Sequence, residues 1–295
     1  MTITFASYNI QYGKGQDRRF DLERIAAEIE AADVIALQEV ASGFVRNDFV
    51  DQAEWFAQRL NRHAVFGATY DVDASFTDAA GRVVNRRRRF GNMVLSRWPI
   101  RSTRTLALPF SPPMRTRDVQ RCAVEAVLDL PGGPIRLYSL HLSHLTPDTR
   151  IPQVMALRAM VEAAPRDGMA WTDSHDADPD NWAEGWPQPT LPEPCILMGD
   201  FNLRPDGPEY PLLAGLHYES QGRVPVRGQF VDSWVAAGHN EAGGWTLAEW
   251  AGQEGARIDY AFLHPSLAPK LRRAWVDTRA QGSDHLPIWI ELDLG

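Results

Sequence analysis

Apolar residues alternate with other residues at Cys122, Val124, Ala126, Leu128 and Leu130, which puts one side of an extended segment into a core. Similar short apolar runs recur along the chain. Residues 3–10, 34–37, 64–70, 92–97, 103–108, 135–142 and 195–199 read as strands, as do 257–263, 271–277 and 286–293. Pro131, Gly132, Gly133 and Pro134 predict a hairpin turn between two of them. Helical spacing is rarer. Leu22, Ile25, Ala26 and Ile29 recur on one face behind Asp21, a suitable N-cap. Ala53, Phe56, Ala57 and Leu60 do the same over 52–60. A longer helix is predicted over 148–163, and short ones near 208–215 and 231–237. Residues 165–194, rich in Pro, Trp and Asp, fit no period and read as one inserted surface loop.

Hairpins mixed with helices predict an α/β fold, a four-layer α/β/β/α sandwich of two packed mixed sheets with helices outside. No internal repeat or linker divides the 295 residues, so 1–295 reads as a single domain. A composition of 44% hydrophobic and 23% charged residues supports a sizeable core. The net charge of −8 weighs against a general affinity for the nucleic-acid backbone, but a local basic groove is compatible with it. Cys122 and Cys195 lie in separate apolar runs and read as core thiols. The opening MTITFASYNIQYG has no basic stretch followed by an apolar one, and no window has the length of a membrane span. A cytoplasmic protein without a signal peptide or transmembrane segment is the expectation. No protein partner is evident.

Polar residues collect where these strands end. Asn9 sits within the first strand, and Glu39 ends the run VIALQ. His141 lies in LYSLHLSHL, on the side of Ser139 and Ser143 if that strand is regular. CILMGDFNLRP delivers Asp200 and Asn202. Asp259 sits in ARIDYAFLH, and Asp284 and His285 open QGSDHLPIWIEL. Singly, each reads as a turn or a backbone-bonding residue. Together they supply what hydrolysis of a phosphorus ester needs. A hard divalent cation would be bound by Glu39 and Asp284. Asp200 or His285 would orient and deprotonate water, and Asp259 would fix the tautomer of the histidine. Asn202, His141 and Asn9 would donate to the developing charge.

The motifs SYNIQYG, LQEV, GNMVLSRWPI, LYSLHLSH, MGDFNLRP, RIDYAFLH and SDHLPI occur in this order across nearly the whole chain. The set resembles the endonuclease/exonuclease/phosphatase superfamily, the DNase I-like, Mg-dependent phosphoesterases. That resemblance implies a metal-binding Glu39, with Asn9 and Asp284 supporting the metal site. It implies a His141 that contacts the scissile phosphate, an Asp200 that handles the nucleophilic water and an Asn202 on phosphate or metal. It also pairs His285 with Asp259 and leaves open whether His285 is the base or a phosphate ligand. In some branches an arginine stands near the phosphate, and Arg121 fits this better than Arg117. His144 is not placed by the motif.

Arg86 to Arg89 form a charge run that reads as a solvated loop, with recognition of an anionic substrate as the alternative. Trp171, Trp182, Trp186, Trp245 and Trp250 read as pinning loops onto the protein, with stacking or lipid contact as the alternative. The expected activity is Mg-dependent hydrolysis of a phosphodiester or phosphomonoester, on a small or lipid-like substrate. The alternative is a DNA or RNA nuclease. A catalytically inactive binding module is disfavoured, because Glu39, Asp200, Asn202 and His285 are all present.

Overall fold

The computed structural model describes residues 1–167, 171, 184, 188–247 and 255–295. The chain begins with β1 (Thr2–Asn9), α1 (Leu22–Ile29), β2 (Val34–Ser42), α2 (Gln52–Leu60), β3 (His63–Asp73) and β4 (Arg87–Ser96). It continues through β5 (Ile100–Ala107), β6 (Cys122–Leu130), β7 (Gly133–His141), α3 (Pro147–Asp167) and β8 (Cys195–Asp200). It ends with α4 (Tyr210–Ala214), β9 (Val231–Asp232), α5 (Ser233–Ala236), β10 (Asp259–Leu263), β11 (Leu271–Val276) and β12 (Ile288–Asp293). One sheet has the order β11-β12-β1-β2-β4-β3, and the other β9-β10-β8-β7-β6-β5. Both are mixed, because β1 runs parallel to β2 and β7 parallel to β8. Two minor ribbons pair Phe76–Thr77 with Val83–Val84 and Leu216–Tyr218 with Gly222–Val224.

The alternation seen in the sequence is spent on three apolar layers. Ile3, Phe5 and Val34 of the first sheet meet Ile196, Met198 and Ala261 of the second, which places one core between the sheets. Val154, Leu157 and Val161 of α3 cover the outer face of the second sheet, against Tyr138 and Leu197. Ile25, Ala26 and Ile29 of α1, with Phe56 of α2, cover the outer face of the first. Both of these helices are stopped at their N-termini by a carboxylate. Asp21 accepts from Arg24 N–H and Asp51 from Glu54 N–H, satisfying donors that a helix start leaves free.

The expected fold is therefore the observed one, with corrections at element ends. Three of the four arginines of the run are in a strand, and only Arg86 stays in a loop. Arg87, Arg88 and Arg89 belong to β4, which begins five residues before the predicted start at 92. Arg87 and Arg89 pair with Asp71 and Asp51, so charge pairing stabilises strand where composition alone suggested solvation. Helix α3 runs on through Pro165 to Asp167. Residues 231–237 split into a two-residue strand and a short helix. Most of the inserted loop, together with Trp182, Trp186 and Trp250, lies outside the described residues. Among the described residues, no helix is long and apolar enough to cross a membrane.

Register carries the polar residues to one edge. The parallel β1–β2 pair sets Asn9 beside Gln38, so Asn9 and Glu39 leave the first sheet together. In the second sheet, β8 pairs Asp200 with His141 of β7 on one side and with Asp259 of β10 on the other.

Candidate active site

Glu39 owes its position to a bulge. Pairing of β2 with β4 slips between Leu37 and Val40, and Glu39 adopts a left-handed φ of 59°. A non-glycine residue holds that conformation only when its surroundings enforce it, and a bulge re-aims the side chain. Asn202 is similar, at φ 51° just past β8. Before it, Gly199 adopts φ 149°, and a Cβ there would lie 1.9 Å from the carbonyl oxygen of Leu140. Only glycine lets β7 and β8 approach this closely at the point where they deliver His141 and Asp200.

The hydrogen bonds knit the two sheets together. Asn9 Nδ2 donates to Asp200 Oδ2 at 3.0 Å and to Glu39 Oε1 at 3.4 Å. The Oδ1 of Asn9 accepts from Gln11 N–H at 3.1 Å. Asn202 N–H donates to Asp200 Oδ1 at 2.9 Å. Asp200 Oδ2 also lies 3.2 Å from His141 Nε2 and 3.7 Å from His285 Nε2. His285 turns its other nitrogen, Nδ1, to Asp259 Oδ2 at 2.8 Å. Asp200, Asp259 and His285 bring ligand atoms within 4.8 Å of one another. Asp259 is held in turn by Thr246, whose hydroxyl oxygen accepts from the N–H groups of Ile258 and Asp259.

Arg121 sits at the other side of His141. Its Nη1 is 2.8 Å from His141 Nε2, and its Nη2 is 3.0 Å from His144 Nδ1 and 3.3 Å from Asp118 Oδ1. Arginine only donates, so His141 accepts through Nε2 and carries its proton on Nδ1. Asn202 Nδ2, fixed by donating to Leu142 O at 3.1 Å, faces the same nitrogen at 3.1 Å. The Nε of Arg121 is buried and without a hydrogen-bond partner.

Burial dominates the titration of this cluster. It drives Asp200 up to about 7, with the charge of Asp259 adding to the shift and His285, Asn9 and Asn202 opposing it. Burial also raises Glu39, with His285 and Arg121 opposing it. His141 falls well below its ordinary value through burial and the positive charge of Arg121. Burial would lower His285 too, but Asp259 and Asp200 outweigh it and raise the imidazole to about 10.

Glu39 and Asp284 remain half-buried and form no ion pair with a cationic side chain among the described residues. Asp284 accepts from Gln11 Nε2 at 2.6 Å and from Ser283 Oγ at 3.2 Å. Two carboxylates that feel each other's charge and have no ion-paired partner are oxygen donors suited to a hard divalent cation, and they fit such a group.

The structure thus gathers Asn9, Glu39, Arg121, His141, Asp200, Asn202, Asp259, Asp284 and His285 around one place. The sequence reading missed three supporting residues. Gln11 lies inside SYNIQYG, but an uncharged amide there carries no signal of its own. Asp118 stands among arginines, where a lone acid reads as surface charge. Thr246 lies in a segment without a motif, and nothing short of the fold could have found it. Arg117 is exposed, Trp245 is 47% exposed, and Cys122 and Cys195 are buried free thiols.

Two facing mixed sheets thus bring a cluster of carboxylate, amide and imidazole groups to their common edge. The sequence profile described as "Endonuclease/Exonuclease/phosphatase family" matches residues 6–285, and the chain belongs to that family, whose members hydrolyse phosphoester bonds. The chain is similar to a solved endonuclease/exonuclease/phosphatase from Beutenbergia cavernae, with 23% identity, a TM-score of 0.64 and coverage of 100% of this chain and 72% of that one. It is similar to a family protein from Leptotrichia buccalis, at 18% identity and TM-score 0.61, covering 99% of each chain. A mannosyl-6-phosphatase from Bacteroides thetaiotaomicron is also similar, at 18% identity and TM-score 0.58, again over 99% of each. At these identities the likeness shows the fold. No curated protein matches the chain by sequence.

Proposed function

We propose that this chain is a Mg-dependent phosphoester hydrolase that uses an activated water. The observation that carries the reading is Asp200, buried between His285 and His141 and tied to Glu39 through Asn9. Glu39 and Asp284 would hold the cation, with Mn2+ as a substitute. When bound, it supplies positive charge that relieves repulsion between the phosphoryl oxygens and the incoming water. Asn9 orients the carboxylates of Glu39 and Asp200, and Gln11 orients that of Asp284.

Asp200 is the proposed proton acceptor. Its pKa of about 7 puts it close to the pH at which a base both is free and binds a proton well. His285, raised to about 10, keeps its proton near neutrality and serves as a cationic donor beside Asp200. Asp259 fixes its ring. Arg121, Asn202 and His141 line the opposite side and are the proposed contacts for the phosphoryl oxygens, Arg121 by charge and Asn202 through its amide.

Hydrolysis of bis(p-nitrophenyl) phosphate and p-nitrophenyl phosphate, with Mg2+, with Mn2+ and with chelator, tests the reading. Cation-dependent release of p-nitrophenol is expected, and its absence with both cations sinks the proposal. The acidic balance of the chain supports a small or lipid-like substrate. Arg46, which lies over the ring of Tyr12 next to the Glu39 and Asp284 carboxylates, favours the second reading, a nucleic-acid strand.

A further inference from the structure

Next to the candidate metal carboxylates, aromatic rings and guanidinium groups alternate on the surface. The turn that carries Gln11 also carries Tyr12, both at left-handed φ, and Tyr12 feels the charges of Glu39 and Asp284. Arg46 lies 4.3 Å over the Tyr12 ring and 4.1 Å over the Phe44 ring. Phe44 stacks on Tyr70 at 6.1 Å. Asn47 Nδ2 donates to Tyr12 O at 2.8 Å and locks the Arg46 segment to the site-forming turn. Farther out, Arg86 bridges Phe49 at 5.0 Å and Phe76 at 4.9 Å. Strand alternation puts Arg88 on the face of β3 and β4 shared by Tyr70, because Tyr70 opposes Phe90 and Val72 opposes Arg88.

Charge separates these arginines from their neighbours. Arg87 and Arg89, on the other face of β4, are each paired with an aspartate. Arg46, Arg86 and Arg88 have no carboxylate partner among the described residues. Phe49 and Phe76 stay 49% and 45% exposed, which leaves ring surface open. A protein with a net charge of −8 thus concentrates three uncompensated guanidinium groups and open aromatic faces beside its acidic cluster.

We infer that this strip binds the substrate beyond the scissile phosphate, and that the substrate is a single-stranded nucleic acid. This rests on the phosphoesterase reading of the site. Guanidinium groups suit successive backbone phosphates, and rings with exposed faces suit unstacked bases. A lipid surface would use the charge and bury the phenylalanines, but it gives no reason for guanidinium groups to alternate with the rings, as a strand of alternating phosphates and bases does. The strip is continuous with the site through Tyr12, so one strand can lie on both.

Fluorescence anisotropy of a fluorescein-labelled single-stranded DNA of about sixteen nucleotides tests this, in the Asp200→Asn background so that no turnover is needed. Binding is expected in the parent. The triple variant Arg46→Gln, Arg86→Gln, Arg88→Gln is expected to bind at least about tenfold more weakly, and its salt dependence between about 50 and 200 mM to flatten by about two in log–log slope. Phe49→Ala with Phe76→Ala, which keeps the charges, is expected to weaken binding without changing that slope, and it stands if the triple variant melts early. Equal affinity of parent and both variants overturns the inference. So does strip-dependent binding to phosphatidylserine vesicles in place of the oligonucleotide. Binding fails or succeeds here independently of p-nitrophenol release, so a failure of the strip is distinguishable from a failure of the site.

Discussion

Nε2 of His285 lies 3.7 Å from Oδ2 of Asp200, so a buried imidazole proton faces a buried carboxylate. Because Nδ1 of His285 is held by Asp259 at 2.8 Å, the ring cannot turn away without losing its strongest partner. The division of labour between acid and base follows from this pair.

Asp200→Asn removes the proton acceptor and keeps its shape. Turnover of bis(p-nitrophenyl) phosphate is expected to fall by at least about a hundredfold, with little change in the Mg2+ concentration for half-maximal activity. Steady-state kinetics over a Mg2+ series checks this, and near-normal turnover removes Asp200 from its role.

Glu39→Gln acts on the cation. The expected result is a higher Mg2+ requirement, read by the same titration and by calorimetry. An unchanged requirement would place the ligand elsewhere.

Asp259→Asn withdraws the charge that most raises His285. In the metal-free protein, NMR titration of the ring is expected to show its pKa drop from about 10 toward its ordinary value of 6.5. A ring that still titrates near its parent value contradicts the assignment of Asp259 as its partner.

Metal-free stability is expected to decline with rising pH. Both groups bind protons more tightly folded than unfolded, Asp200 at about 7 against 3.8 and His285 at about 10 against 6.5. Their stabilisation is full below the unfolded values and is lost as pH passes through the folded ones. Thermal melts in chelator from acid to alkaline pH check the sign. In Asp200→Asn the decline through the lower of the two windows should disappear.

Gly199→Ala drives a methyl group to 1.9 Å from Leu140 O in a backbone conformation that L-residues avoid. A loss of about 3 kcal/mol is expected from overpacking and strain together, measurable by urea unfolding.

Much of this was legible in the sequence because the chemistry sits at strand ends. Period-two alternation located most of the strands, and a polar residue closing an apolar run has few structural reasons to be there. Asp200 and Asn202 stood out for that reason, as did Glu39. Two things escaped. The start of β4 looked like a solvated run because the partners of Arg87 and Arg89, Asp71 and Asp51, are distant in sequence. Thr246 supports Asp259 across thirteen residues through a hydroxyl that leaves no pattern. Pairings between segments, unlike periodicity within one, are created by folding.

The placement of β12 between β1 and β11 has a consequence for biosynthesis. As the polypeptide leaves the ribosome, β1 emerges long before residues 288–293, so one of its edges waits for them. Asp284 and His285 arrive only just before them. Nascent chains therefore carry Asn9 and Glu39 long before the groups that complete the cluster, and the site stays incomplete until His285 has been added and β12 has docked.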